Sequence, residues 1–115
     1  MTIVLLSSDL TVLSRVEGAA IRVGQTVRSV SSEALAVELC RNDDARTVVV
    51  DLSMQSVDPA SLVSRLKANE GSSTRVVAFG PHVHEQRLAA AREAGCDLVV
   101  SRGQFFSQLE TILTG

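Results

Sequence analysis

The sequence predicts a three-layer α/β fold, a (βα)5 arrangement with five parallel strands in one sheet, and three observations predict it. Short β-branched runs recur five times along the 115 residues. Longer stretches with apolar residues every three or four positions separate them, and the connections between the two kinds of segment are short. Parallel strands need a crossover, and a helix returning right-handedly over the sheet supplies it, so the alternation places helices on both faces.

The strands are predicted at 2–6, 26–30, 47–50, 75–79 and 98–100. "IVLL" and "VVV" are apolar without alternation, as in strands covered on both faces, and are expected to be central; "TVRSV", with its arginine, is expected at an edge. In the first helix Leu13, Val16, Ala20 and Val23 share a face, Asp9 caps the start and Gly24 suits the left-handed end. The second helix, 32–40, is capped by Ser31 or Ser32, turns Ala36, Val37 and Cys40 inward, and ends at "RNDDA". In the third, Asp58 caps and Pro59 occupies the first turn, where a missing amide does no harm; it is expected to run to about Asn69 and stop at Gly71. The fourth, 85–94, is rich in alanine and closes on Gly95. The fifth, 104–113, gathers Phe105, Phe106, Leu109, Ile112 and Leu113 on one side.

The length suits a single domain, 1–115, with one core system. With 45% apolar and 21% charged residues and a net charge of -2, the composition is that of an ordinary globular chain. Eleven basic and thirteen acidic residues are interspersed, and three Phe with no Trp or Tyr give no stacking platform, which argues against nucleic-acid binding. "MTIVLLSSDL" lacks the basic segment of a signal peptide and the length of a membrane span, so no membrane association and a cytoplasmic location are expected. Cys40 and Cys96 make neither a metal set nor a disulfide framework and read as small buried groups.

In open parallel sheets, ligands gather at the carboxyl ends of the strands. The residues there are Ser7, Ser8 and Asp9 after the first strand, Asp51, Leu52 and Ser53 after the third, Gly80 after the fourth, and Ser101 and Arg102 after the fifth. Asp51 is the conspicuous one, since a carboxylate that ends a buried apolar run needs a partner or water. His82 and His84 in "GPHVHE" are two ligands without a third, and read as an exposed loop leading into a helix. No G-x-S-x-G turn, P-loop or G-x-G-x-x-G occurs, which removes those nucleophile and nucleotide sites.

With these residues in view, the whole chain resembles a response-regulator receiver domain, the CheY-like phospho-accepting module of two-component signalling. "VVVDLSM" resembles the family's third strand, with Asp51 at the phospho-acceptor position and Met54 three residues on; "EQRLAAAREAGCDLVVSRG" resembles its fourth helix and fifth strand. The resemblance implies a flavodoxin-like sheet of order 2-1-3-4-5.

Departures from the family pattern are as informative. Receivers hold Mg²⁺ with an acidic pair after the first strand, and here Ser7 and Ser8 stand there; Mg²⁺ sheds water reluctantly and is recruited by carboxylates, which leaves Asp9 with Asp51 as the only candidate metal pair. Gly80 replaces the fourth-strand Ser or Thr, Arg102 the fifth-strand lysine, Gly103 the following proline and Val99 the aromatic switch residue. Asp51 and the carbonyl position at Ser53 remain. The expectation is a non-enzymatic pseudo-receiver without a cofactor, an interaction or dimerisation module working through the fourth helix, fifth strand and fifth helix, with Phe105 and Phe106 as interface candidates. Arg102 is expected to reach across the crevice and pair with Asp51. The alternative is a working phospho-acceptor that takes a phosphoryl group from a histidine kinase onto Asp51 with Mg²⁺.

Overall fold

The computed structural model describes residues 2–42, 45–68 and 74–114. In chain order the elements are β1 (Thr2–Leu6), α1 (Leu10–Arg22), β2 (Thr26–Val30), α2 (Glu33–Asn42), β3 (Thr47–Asp51), α3 (Pro59–Leu66), β4 (Arg75–Gly80), α4 (Glu85–Glu93), β5 (Leu98–Ser101), α5 (Arg102–Ser107) and α6 (Leu109–Thr114). The five strands form one parallel sheet in the order β2-β1-β3-β4-β5, as the resemblance implied.

Side chains alternate across a strand, and the core divides accordingly. Val4, Leu6, Val48, Val50, Val76 and Ala78 point to the face covered by α2, α3 and α4, where Ala36, Val37, Leu62, Leu66 and Ala91 meet them. Ile3, Leu5, Val49, Val77 and Phe79 point to the other face, under Val12, Val16 and Ala19 of α1 and Phe105, Leu109 and Ile112 of α5 and α6. Central strands covered twice explain why "IVLL" and "VVV" show no alternation. At the edges, β2 is largely exposed and all of β5 is half-buried.

Helix boundaries follow capping chemistry. Asp9 accepts from the amides of Thr11 and Val12, and Asp58 from that of Ala60 ahead of Pro59. Ser32 Oγ accepts from Leu35 N at 3.2 Å, so α2 starts at Glu33, and it runs two residues past Cys40. Gly24 and Gly95 take the left-handed backbone, φ 73° and 96°, that closes α1 and α4. The third helix ends at Leu66, before the expected Asn69; the stop at Gly71 falls outside the described residues.

The last helix departs most from expectation. Ser101 and Gln104 form a capping box, which starts α5 at Arg102, and the chain leaves helical geometry at Gln108 (φ -121°) before α6 begins. The polar, exposed Gln108 marks the turn, while Phe105, Leu109, Ile112 and Leu113 on either side remain buried. Among the described residues no helix is long and apolar enough to cross a membrane.

Candidate functional site

Asp51 closes β3 in the centre of the sheet, in register with Phe79 of β4, and is 1% exposed. Such burial requires hydrogen-bond donors in place of water. The loop after β1 provides the first: Ser7 Oγ donates to Asp51 Oδ2 at 2.7 Å. The next turn provides the others, with Ser53 N and Ser53 Oγ donating to Oδ1 at 3.0 and 2.6 Å. Both carboxylate oxygens are engaged by neutral donors. Ser7 is 8% exposed, and its hydroxyl oxygen also accepts from Asp9 N at 3.2 Å; Ser8, beside it, is exposed.

Arg102 does not pair with Asp51. Its Nη2 lies 3.3 Å from Asp9 Oδ2, and its guanidinium sits 5.1 Å from the Phe106 ring centroid. The expected pairing fails because Asp51 is buried and already satisfied by hydroxyls, whereas Asp9 presents a free oxygen at the rim. Asp9 Oδ1 serves the amides of Thr11 and Val12 at 2.8 and 3.4 Å. Those two amides, with Arg102 adding to them, hold the Asp9 carboxyl below its ordinary value of 3.8 against the opposing effect of desolvation.

As a Mg²⁺ site the crevice is poorly matched. Its two carboxylates, Asp9 and Asp51, each have both oxygens engaged by protein donors, and the remaining oxygen ligands nearby are serine hydroxyls and backbone. Among the described residues no group of three or more His, Cys, Asp or Glu side chains is placed to hold a metal ion.

Gly80 ends β4 in register with Ser101 of β5 and lies against the side chain after Asp51: a Cβ here would come 3.1 Å from Leu52 Cβ and 3.8 Å from Leu88 Cδ2. The missing hydroxyl is thus also a steric matter, since Leu52 is buried in that space. Val99 is half-buried against the α2–α3–α4 core. His82 and His84 are exposed in the loop between β4 and α4, and His84 begins the helix without a side-chain cap.

Phe105 is no surface residue. It is fully buried and stacks on Phe79 with centroids 4.1 Å apart and planes within 4°, because its position in α5 faces the sheet. Phe106 is half-buried, with Arg15 4.3 Å and Arg102 5.1 Å from its ring. It borders a groove of about 480 Å³ between α1 and the α5–α6 turn, where Arg22 pairs with Glu110. Cys40 and Cys96 are free thiols; burial pushes Cys40 up to about 11 and raises Cys96 as well.

Two roles were not legible in the sequence. Ser7 serves a side chain as well as the backbone, and Arg87, in the first turn of α4, donates Nε to Leu52 O at 2.6 Å and Nη2 to Met54 O at 3.1 Å and Val57 O at 3.4 Å. One of two arginines among the polar residues of an alanine-rich helix, Arg87 carries no sequence signal of such a role.

A five-stranded parallel sheet of this order, with an aspartate ending its central strand, resembles the architecture of response-regulator receiver domains, and solved structures similar to this chain include such domains. The receiver domain of a sensor histidine kinase from Pseudomonas aeruginosa PAO1, with a magnesium ion coordinated in its active-site cleft, superposes with TM-score 0.81 at 17% identity over 98% of this chain and 93% of that one. A response regulator from Hahella chejuensis gives 0.82 at 14% identity over 98% and 92%. An orphan response regulator of H. pylori gives 0.76 at 19% over 98% and 96%. The chain therefore has the receiver-domain, flavodoxin-like fold. Comparison of the sequence with family models and with curated proteins finds no match.

Proposed function

We propose that this chain is an atypical receiver of bacterial two-component signalling, without enzymatic activity, that works as a protein-interaction or dimerisation module. One observation carries this reading: Asp51 has both oxygens held by Ser7 and Ser53, at the place where a phosphorylatable receiver opposes an acidic pair and a divalent ion. Gly80 brings no hydroxyl to the crevice, and Arg102 is turned to Asp9. The docking face we assign is that of α4, β5 and α5. In its support, α4 exposes Ala89 and Ala90, small apolar residues that admit a close-packed partner, beside the half-buried Leu98, Val99 and Val100 of the edge strand.

The magnesium-bound Pseudomonas receiver favours a second reading. In it, an Asp51 oxygen attacks the phosphorus of a phosphohistidine in a histidine kinase, an acyl phosphate forms and the P–N bond breaks, with the imidazole as leaving group. Ser7 and Ser53 would first have to release the carboxylate.

Titration with beryllofluoride and Mg²⁺, read by amide NMR, tests between them. No saturable shift around Asp51 is expected, while Ala90→Arg should abolish self-association or partner binding. Saturable binding with shifts reaching α4 would establish the second reading instead.

A further inference from the structure

The Leu52–Ser53 peptide group lies between two ionic side chains from different elements. Its carbonyl accepts from Arg87 Nε at 2.6 Å, and its N–H donates to Asp51 Oδ1 at 3.0 Å. A guanidinium on the oxygen side and a carboxylate on the nitrogen side polarise the same amide in the same sense, so each hydrogen bond strengthens the other. Arg87 also holds the carbonyls of Met54 and Val57, and Leu52 N donates to Phe79 O at 2.8 Å. Among the described residues Arg87 has no carboxylate partner. Its charge is matched by backbone carbonyls of the β3–α3 loop alone.

We propose that Arg87 is a positioning residue which, through the Leu52–Ser53 peptide, couples the state of the Asp51 carboxylate to the first turn of α4. Gly80 and Val99 supply neither a switching hydroxyl nor a switching ring, yet a continuous hydrogen-bonded path from Asp51 to α4 exists. Neutralising or displacing the Asp51 carboxylate weakens the grip on Ser53 N–H, reduces the polarisation of the Leu52 carbonyl and loosens Arg87, and with it the start of α4. This coupling requires neither phosphate nor metal, so it stands or falls separately from the proposed function.

The test is a cross of two substitutions read by amide NMR and hydrogen exchange. Asp51→Asn keeps the size of the side chain and removes its charge. In the background with Arg87 it should shift the amides of residues 85–88 and speed exchange about tenfold at Arg87 and Leu88, whose N–H groups donate to His84 O; in the Arg87→Met background that response should fall by at least half, while residues 75–79 in the sheet respond equally in both. An undiminished response at 85–88 in Arg87→Met overturns the proposal. Should Arg87→Met fail to fold, Arg87→Lys keeps the charge but replaces the planar fork by a point donor. Exchange of residues 52–57 is then expected to quicken, and wild-type protection in Arg87→Lys would equally overturn it.

Discussion

Truncating Asp51 tests whether its carboxylate is held as part of the fold. Asp51→Ala removes the acceptor of three donors. Ser53 is exposed, so its amide and hydroxyl pass to water at a loss of about 0.5 kcal/mol each, the low end for ordinary hydrogen bonds. Ser7 is 8% exposed; its hydroxyl hydrogen has little access to water, and losing a charged acceptor there costs about 1.5–3 kcal/mol. Against this summed loss of about 2.5–4 kcal/mol stands relief from burying an anion, which offsets part of it. The balance predicts a net destabilisation of about 1.5–3 kcal/mol, a lowering of Tm by roughly 5–15 °C for a chain of this length. With no Trp or Tyr in the chain, urea unfolding followed by far-UV circular dichroism is the assay, run on wild type, Ser7→Ala, Asp51→Ala and the double variant. A coupling energy of about 1–2 kcal/mol between the two sites is expected. A coupling below about 0.3 kcal/mol, or an Asp51→Ala protein as stable as wild type, would refute the reasoning.

Gly80→Ser restores the hydroxyl of the receiver pattern but places a Cβ 3.1 Å from Leu52 Cβ; the crowding should cost about 1–3 kcal/mol in urea unfolding, and a Gly80→Ser protein as stable as wild type would contradict the close approach. Phe105→Ala, which empties the stacked position on Phe79, is expected to cost about 3–5 kcal/mol, and Phe106→Ala, on a half-buried ring, less than half as much; equal effects would contradict the placement of Phe105 in the core. Asp9 has a folded-state pKa below its unfolded value, so its stabilisation is complete above about 3.8 and is lost as pH falls through the lowered folded value. The stability difference between wild type and Asp9→Asn, which retains a capping oxygen, should be flat above about pH 5 and shrink below pH 4; a difference that grows on acidification would reverse the assigned sign.

The elements of the fold were readable because each is written in local chemistry. "IVLL" and "VVV" name the central strands by their uninterrupted apolar character, and Asp9, Asp58, Gly24 and Gly95 mark helix ends by capping or left-handed geometry. The break at Gln108 was hidden because Phe105 through Leu113 keep one apolar side whether the helix is continuous or turned. At the site, the sequence located the crevice but not its pairings. Arg102 and Asp51 carry opposite charges at the ends of β5 and β3, on either side of β4, and only burial shows that Asp51 is satisfied by Ser7 and Ser53 while Asp9 remains for the arginine. Arg87 was invisible for a related reason: its partners are carbonyls, which every residue has.

These pairings are connected through the residue at position 7. A carboxylate there would stand beside Asp51 with both groups short of water, and like charges so placed demand a cation between them or a proton on one of them. A hydroxyl reverses the demand, because Ser7 donates to Asp51 Oδ2 and accepts from Asp9 N, so the buried anion is stabilised by neutral groups that need no counter-ion. Arg102, with no call on it from the crevice, settles on the remaining carboxylate at the rim and on the face of Phe106. The same reasoning gives Ser7→Asp a definite outcome. It should destabilise the protein in the absence of divalent ions, and Mg²⁺ should recover stability in that variant while leaving the wild type unmoved. Recovery by Mg²⁺ in both proteins alike would show that the serine is not what sets the charge requirement of the crevice.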